Sequence, residues 1–166
     1  MNLNFPILAL AALVPLIIGF IWYHPKVFGT AWMVSAGLDE EKLKGMNMLK
    51  TFGLTYVFSL MAAMTIQFMV IHQYSFYSIL ADQPGFNDPT SEIGTFISGF
   101  MEKYGNNFRT FKHGALHGTL SGIFFVFPII GVNGLFERKS FKYIFLNSGF
   151  WTVCAALMGG IICAFA

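Results

Sequence analysis

Four stretches of this 166-residue chain are apolar enough, and long enough, to cross a bilayer. A hydrocarbon core about 30 Å thick takes roughly 20 residues of helix, a length met by residues 5–23, 51–71, 114–132 and 144–166. No water is available in lipid, so main-chain N–H and C=O groups must pair within each continuous stretch, and a helix does that. The expected fold is therefore all-α, a single four-helix transmembrane domain over residues 1–166. Composition agrees, since 55% of residues are hydrophobic and 11% charged, where soluble domains carry about 25% charge. The longest polar stretch, residues 72–113, has room for a helix and turns but not for a second core. The net charge of +2 is small, and the basic side chains lie beside the apolar stretches. Such placement marks topology rather than a nucleic-acid surface. The expected partner is the lipid bilayer, and no nucleic acid.

The first stretch is expected to be retained rather than cleaved as a signal peptide. No Lys or Arg precedes it, and it ends in Trp22-Tyr23 instead of a small-residue cleavage site. Cys154 and Cys163 share one predicted helix, roughly 13 Å apart along its axis at 1.5 Å per residue, too far to pair.

Lys and Arg near helix ends resist translocation, so their distribution sets orientation. Lys26, Lys42, Lys44 and Lys50 lie between the first and second stretches, and Arg138, Lys139 and Lys142 between the third and fourth. The opposite side holds Lys103, Arg109 and Lys112. This bias puts the two basic loops in the cytoplasm and both termini outside. In the first loop, Phe28, Trp32 and Met33 within Val27 to Ala36 suit an interfacial helix that stops at Gly37. Asp39 then offers an N-cap to a run leading through Lys50 into the second helix. In the long outer loop, Asp88-Pro89 reads as a helix start. Ile93, Phe96, Ile97, Phe100, Met101 and Tyr104 then form one apolar face, laid on the outer leaflet or over the bundle mouth.

Membrane helices associate by close packing at small residues. The third stretch supplies Gly114, Gly118 and Gly122, and the fourth supplies Ser148, Thr152, Ala156, Gly160 and Ala164. Weaker stripes run through Thr51, Thr55, Ser59 and Ala63, and through Ala11, Pro15 and Gly19. These stripes serve packing within the chain or, alternatively, an interface to a second copy or another membrane protein. Pro15 and Pro128 are expected to kink their helices.

Polar groups inside a membrane are costly, so they mark where function is sought. Arg109, His113, His117 and Ser121 recur every fourth residue on one helical face, and His72 and Gln67 approach the same side from the second helix. Two imidazoles at i, i+4 can bind a metal. A Zn or Cu site, or a proton relay, is therefore chemically open to His72, His113 and His117. Against it stand the absence of an H-E-x-x-H or cysteine ligand set and the cation Arg109 on the same face. No Asp or Glu falls inside the four stretches, which argues against carboxylate-coupled cation transport. No catalytic residue and no cofactor is assigned.

A second cluster sits at the opposite boundary: Trp22, Tyr23, Pro25, Phe28, Gly29 and Trp32, with Asn133 and Asn147 at the facing ends of the last two helices. Aromatic anchoring in the headgroup layer is the simplest role, and a headgroup cradle between Trp22, Tyr23 and Asn147 the alternative. The run G-F-I-W-Y-H-P-K-V-F-G-T-A-W from Gly19 to Trp32 resembles the signature of a family of small bacterial four-helix membrane proteins called domain of unknown function 1761. H-G-A-L-H-G from His113, N-G-L-F-E-R-K from Asn133 and the G-F-W and M-G-G of the last stretch are similar to that family's closing helices. The resemblance implies a bacterial inner membrane and no activity. Function is expected to be that of a non-enzymatic membrane component that binds partners or oligomerises. A small transporter or channel is the alternative, followed by a His-dependent membrane enzyme or metal-binding protein.

The basic loops make one expectation measurable. Single cysteines introduced as Lys42→Cys, Thr90→Cys and Arg138→Cys should be labelled from the cytoplasm at positions 42 and 138 and from outside at position 90. Labelling of position 90 alone from the cytoplasm reverses the orientation.

Overall fold

The computed structural model describes residues 3–166, and every regular element among them is a helix. Four helices are long and apolar enough to cross a membrane, Phe5–Trp22, Met48–Val70, Phe111–Phe136 and Phe141–Phe165, numbered here as spans one to four. Spans two, three and four each open on a polar side chain that takes up a main-chain N–H the first turn leaves unpaired. Asn47 Oδ1 accepts from Lys50 N (3.0 Å), Thr110 Oγ1 from His113 N (3.2 Å) and Ser140 Oγ from Tyr143 N (3.2 Å). A capped, polar first turn can stand in the headgroup layer, so these helices begin about one turn before the apolar runs do.

Span one is broken into Phe5–Ala11 and Val14–Trp22. Pro15 has no N–H to donate to Ala11, and its ring crowds that carbonyl. In span three Pro128 likewise withholds a bond from Phe124, and the chain widens into a π turn at Gly122–Val126 just before it. A second π turn, Pro25–Gly29, is capped by His24 Nδ1 on Lys26 N (3.2 Å) and feeds the connector helix Thr30–Ala36. Gly37 ends that helix at a φ of +74°, in the left-handed region that glycine tolerates. Asp39 Oδ1 accepts from Lys42 N at 2.8 Å, but the turn it caps stops at Leu43. Gly45, at a φ of +98°, turns the chain before Asn47, so span two does not continue from Asp39 as the sequence suggests.

The long loop between spans two and three holds two helices, Gln73–Leu80 and Glu92–Tyr104. Glu92–Tyr104 starts later than Asp88-Pro89 implies. Ser91 Oγ caps it through Gly94 N at 2.9 Å, while Asp88 Oδ1 is engaged by Thr90 Oγ1 (2.7 Å) and Thr90 N (2.8 Å). Those bonds, the side-chain one foremost, hold the Asp88 carboxyl below the usual carboxylate range. The apolar face turns onto the neighbouring helix, with Phe100 stacked on Phe76 at a centroid distance of 3.9 Å. Gln73 Nε2 donates to the carbonyls of Asn107 (3.0 Å) and Tyr104 (3.4 Å), closing the far end.

Span four is the hub and packs against each of the others. The buried apolar core joins Leu8, Ala11 and Val14 of span one with Ala63, Ile66 and Val70 of span two and Phe150, Cys154, Met158 and Ile162 of span four. Span three adds no side chain to it: the buried residues there are Gly114, Gly118, Gly122 and Gly134. A Cβ at Gly114 would collide with the Gly159 carbonyl and one at Gly118 with the Ala155 carbonyl, while one at Gly122 would lie 2.6 Å from Thr152 Cα. The contact line on span four therefore runs through Thr152, Ala155, Gly159 and Cys163. The sequence pattern singles out Ala156 and Gly160 instead. Ala156 lies at the edge, under Gly118, and Gly160 faces the Phe111 ring. A straight run of every fourth residue drifts around a helix of 3.6 residues per turn, and on span four one step of three, from Thr152 to Ala155, brings the line back onto span three.

Lipid-facing Phe125 is 57% exposed, whereas Gly118 is buried against main chain. Gly118→Leu should lower thermal stability in detergent by about 3 kcal/mol or more, because main chain cannot give way, while Phe125→Leu should leave it nearly unchanged. Equal tolerance at the two sites would contradict the packing described.

Candidate functional site

The sequence H-G-A-L-H-G places each of two histidines directly before a packing glycine. Successive residues are turned by about 100° on a helix, so once Gly114 and Gly118 are pressed on span four, His113 and His117 are held on the flank. That flank looks toward span two. Span two ends at Val70, and Ile71 leaves helical geometry with φ −109° and ψ 93°. The next residue, His72, swings over span three. Its Nε2 lies 2.9 Å from His113 Nε2, one ring donating and the other accepting. Ring centroids are 5.0 Å apart for His72 and His113, 4.8 Å for His72 and His117, and 4.4 Å for His113 and His117. One ligand nitrogen from each ring can be chosen so that all three lie within 4.8 Å of one another.

The cluster is made of imidazoles alone, with no carboxylate or thiol in it among the described residues. Phe108 stacks on His113 with centroids 5.0 Å apart and meets His72 edge-on at 6.4 Å. Phe108 holds a φ of +63°, a left-handed conformation that costs a non-glycine residue about 1 kcal/mol or more. Its carbonyl is used by Cys163 Sγ (3.3 Å) and Thr110 N (2.8 Å), which helps keep it there. Beside His72 opens a cleft of about 300 Å³, with Phe76, Phe100, Tyr104 and Phe108 in its wall.

The other members of the proposed polar site are elsewhere. Arg109 precedes the helix and is drawn to the end of span four, where Nε donates to Cys163 O (2.8 Å) and a terminal nitrogen to the main-chain oxygen of Ala166. A guanidinium at a helix C-terminus answers unpaired carbonyls and the negative end of the dipole. The cation expected to oppose metal binding is thus held at another helix end. Gln67 is wholly buried, its Nε2 2.5 Å from Tyr74 Oη and its Oε1 without a hydrogen-bond partner. Burial, opposed by Arg109 and Gln67, raises the Tyr74 phenol above its usual value, so it stays protonated. Ser121 lies one turn below His117, with Oγ 2.8 Å from His117 O and 3.3 Å from Met69 Sδ. Sequence reasoning missed Met69 and Phe108. Met69 stands three residues before His72 and was findable by spacing; the backbone of Phe108 leaves no sequence signal.

At the other boundary the aromatic residues pack on one another. Trp22 meets Phe28 (4.6 Å) and Phe150 (6.3 Å), and Tyr23 lies between Trp32 (4.9 Å) and Phe150 (5.1 Å). Tyr23 Oη donates to Asn147 Oδ1 at 3.4 Å, and Asn147 Nδ2 to Tyr143 O at 2.7 Å. Of the three residues of the suggested headgroup cradle, Tyr23 and Asn147 are bonded to each other, and the buried Trp22 Nε1 has no hydrogen-bond partner. Pro25 sits in the first turn of the π segment, and Gly29 closes it where a Cβ would collide with the Tyr23 carbonyl. Asn133 does not join them; it is exposed, and its carbonyl accepts from Glu137 N (2.9 Å).

The chain belongs to the family described as Protein of unknown function (DUF1761), which it matches over residues 7–163. No curated protein and no solved structure matches it.

Close approach at Gly29 gives a paired test. Gly29→Ala should lower thermal stability in detergent by about 1 to 3 kcal/mol, the usual cost of overpacking against fixed atoms. Gly53→Ala, in a helical position with open space around it, should raise it by roughly 0.5 to 1 kcal/mol. A Gly29→Ala chain as stable as the wild type would refute the tight turn.

Proposed function

We propose that this protein is a non-enzymatic membrane component whose working end is the outer mouth, where His72, His113 and His117 bind a transition-metal ion. We place it in a bacterial inner membrane with both termini outside, on the strength of the Trp-Tyr-Pro-Phe-Gly-Trp signature and the basic loops at Lys42 and Arg138. The observation that carries the metal reading is the meeting of three imidazoles from two spans within 4.8 Å. Around a tetrahedral ion with bonds of about 2.0 to 2.1 Å, ligand nitrogens stand roughly 3.4 Å apart. The gap of 2.9 Å between His72 and His113 reaches that spacing by small ring movements. Three neutral nitrogens suit Zn, Cu, Fe or Ni, and a His₃ set leaves a position open. No carboxylate or thiol joins the cluster among the described residues, which favours binding over hydrolysis. Self-association through the glycine stripe of span three has less support, because that stripe is filled by span four.

The test is a zinc titration of chelator-stripped full-length protein in detergent. One Zn²⁺ per chain is expected, lost when His113 and His117 are both changed to Ala. Only neutral imidazole binds metal, so affinity should hold at neutral pH and be lost in acid, where protons take the nitrogens. Absence of zinc binding at neutral pH, or binding untouched by the double substitution, would refute the reading.

A further inference from the structure

Beneath the three histidines, on the membrane side, the polar donors give way to sulfur. Ser121 lies one helical turn, about 5.4 Å, inward of His117. Its hydroxyl has one proton to share between His117 O at 2.8 Å and Met69 Sδ at 3.3 Å. The Met69 thioether therefore faces span three in the layer directly under the imidazoles and is not committed to any strong donor. Met61 and Phe68, earlier on span two, are 60% and 54% exposed and face away from the bundle, so Met69 is the thioether of span two turned toward the histidine layer.

The donor types discriminate among ions. Zinc in proteins is held by imidazole, thiolate and carboxylate, and a thioether adds little to it. Copper(I) is a soft d¹⁰ cation that takes imidazole and thioether alike. A methionine side chain is unbranched and flexible enough to turn its sulfur toward an ion in the adjoining layer. We infer that the ion taken at His72, His113 and His117 is copper(I), and that the Met69 thioether, in the layer beneath the imidazoles, is the donor that selects it. The inference rests on the metal reading above and adds the identity of the ion and the thioether that selects it. No electron is transferred: copper binds and leaves as the monovalent ion.

The experiment compares two ions on the full-length protein in detergent. Copper(I), kept reduced by ascorbate under anaerobic conditions, is competed against bicinchoninate, and Zn²⁺ is titrated separately. Met69→Leu conserves volume and apolarity. It should weaken copper(I) binding by about tenfold or more and change zinc affinity less than about twofold, and Met69→Cys, which restores a sulfur donor, should recover copper(I) affinity. Unchanged copper(I) affinity in Met69→Leu, an equal loss of both ions, or no recovery in Met69→Cys would overturn the thioether donor while leaving the histidine site standing. Wild-type protein that binds zinc but not copper(I) would do the same. Wild-type protein that binds neither ion overturns both.

Discussion

Main chain against main chain, at Gly114 on Gly159 and Gly118 on Ala155, is the contact on which the histidine-bearing end of this protein depends. Between helices in lipid there is no hydrophobic gain to be had, so close approach and the dispersion it permits must supply the adhesion. Span three is an extreme case, since it buries glycine and no apolar side chain. One consequence is rotational. A helix seated on a row of glycines has little freedom to turn, so the residues beside that row are aimed as firmly as if they were packed themselves. His113 and His117 owe their common direction to this, and Ser121 its contact with Met69.

The second support is electrostatic and lies at the end of span four. Arg109 binds the carbonyl of Cys163 and the main-chain oxygen of Ala166, Asn4 reaches Phe165 O at 3.4 Å, and Cys163 Sγ contacts the carbonyls of Val70 and Phe108 at 3.3 Å each. Spans one, two and four and the loop before span three are thereby tied at one level of the membrane. Phe108 is held in its left-handed conformation within this knot, and its ring lies over His113. The same cation that in sequence alone seemed to share a face with the histidines is what anchors their surroundings.

How far the sequence foretold this varies with the physics involved. The four spans were legible because lipid imposes a length and a composition that few other settings require. The convergence of His72 with His113 and His117 followed from topology, since successive spans run in opposite directions and the end of one meets the start of the next at the same surface. The facing residues of span four did not follow so cleanly. Ala155 and Gly159, not Ala156 and Gly160, carry the closest approach, and crossing geometry rather than residue size decides that. The fate of Arg109 and Gln67 was also hidden. Long side chains choose among several partners within reach, and only three-dimensional neighbours, here the end of span four and Tyr74, settle the choice. Gln73–Leu80 escaped notice because a short helix with aromatic residues on several sides shows little period.

The central claim is that three imidazoles from two spans form one coordination site, and X-ray absorption at the zinc edge of the zinc-loaded protein tests it most directly. The account predicts a first shell of nitrogen at about 2.0 to 2.1 Å with the outer-shell scattering of three imidazole rings. A shell of oxygen alone, or the scattering of a single ring, would contradict it.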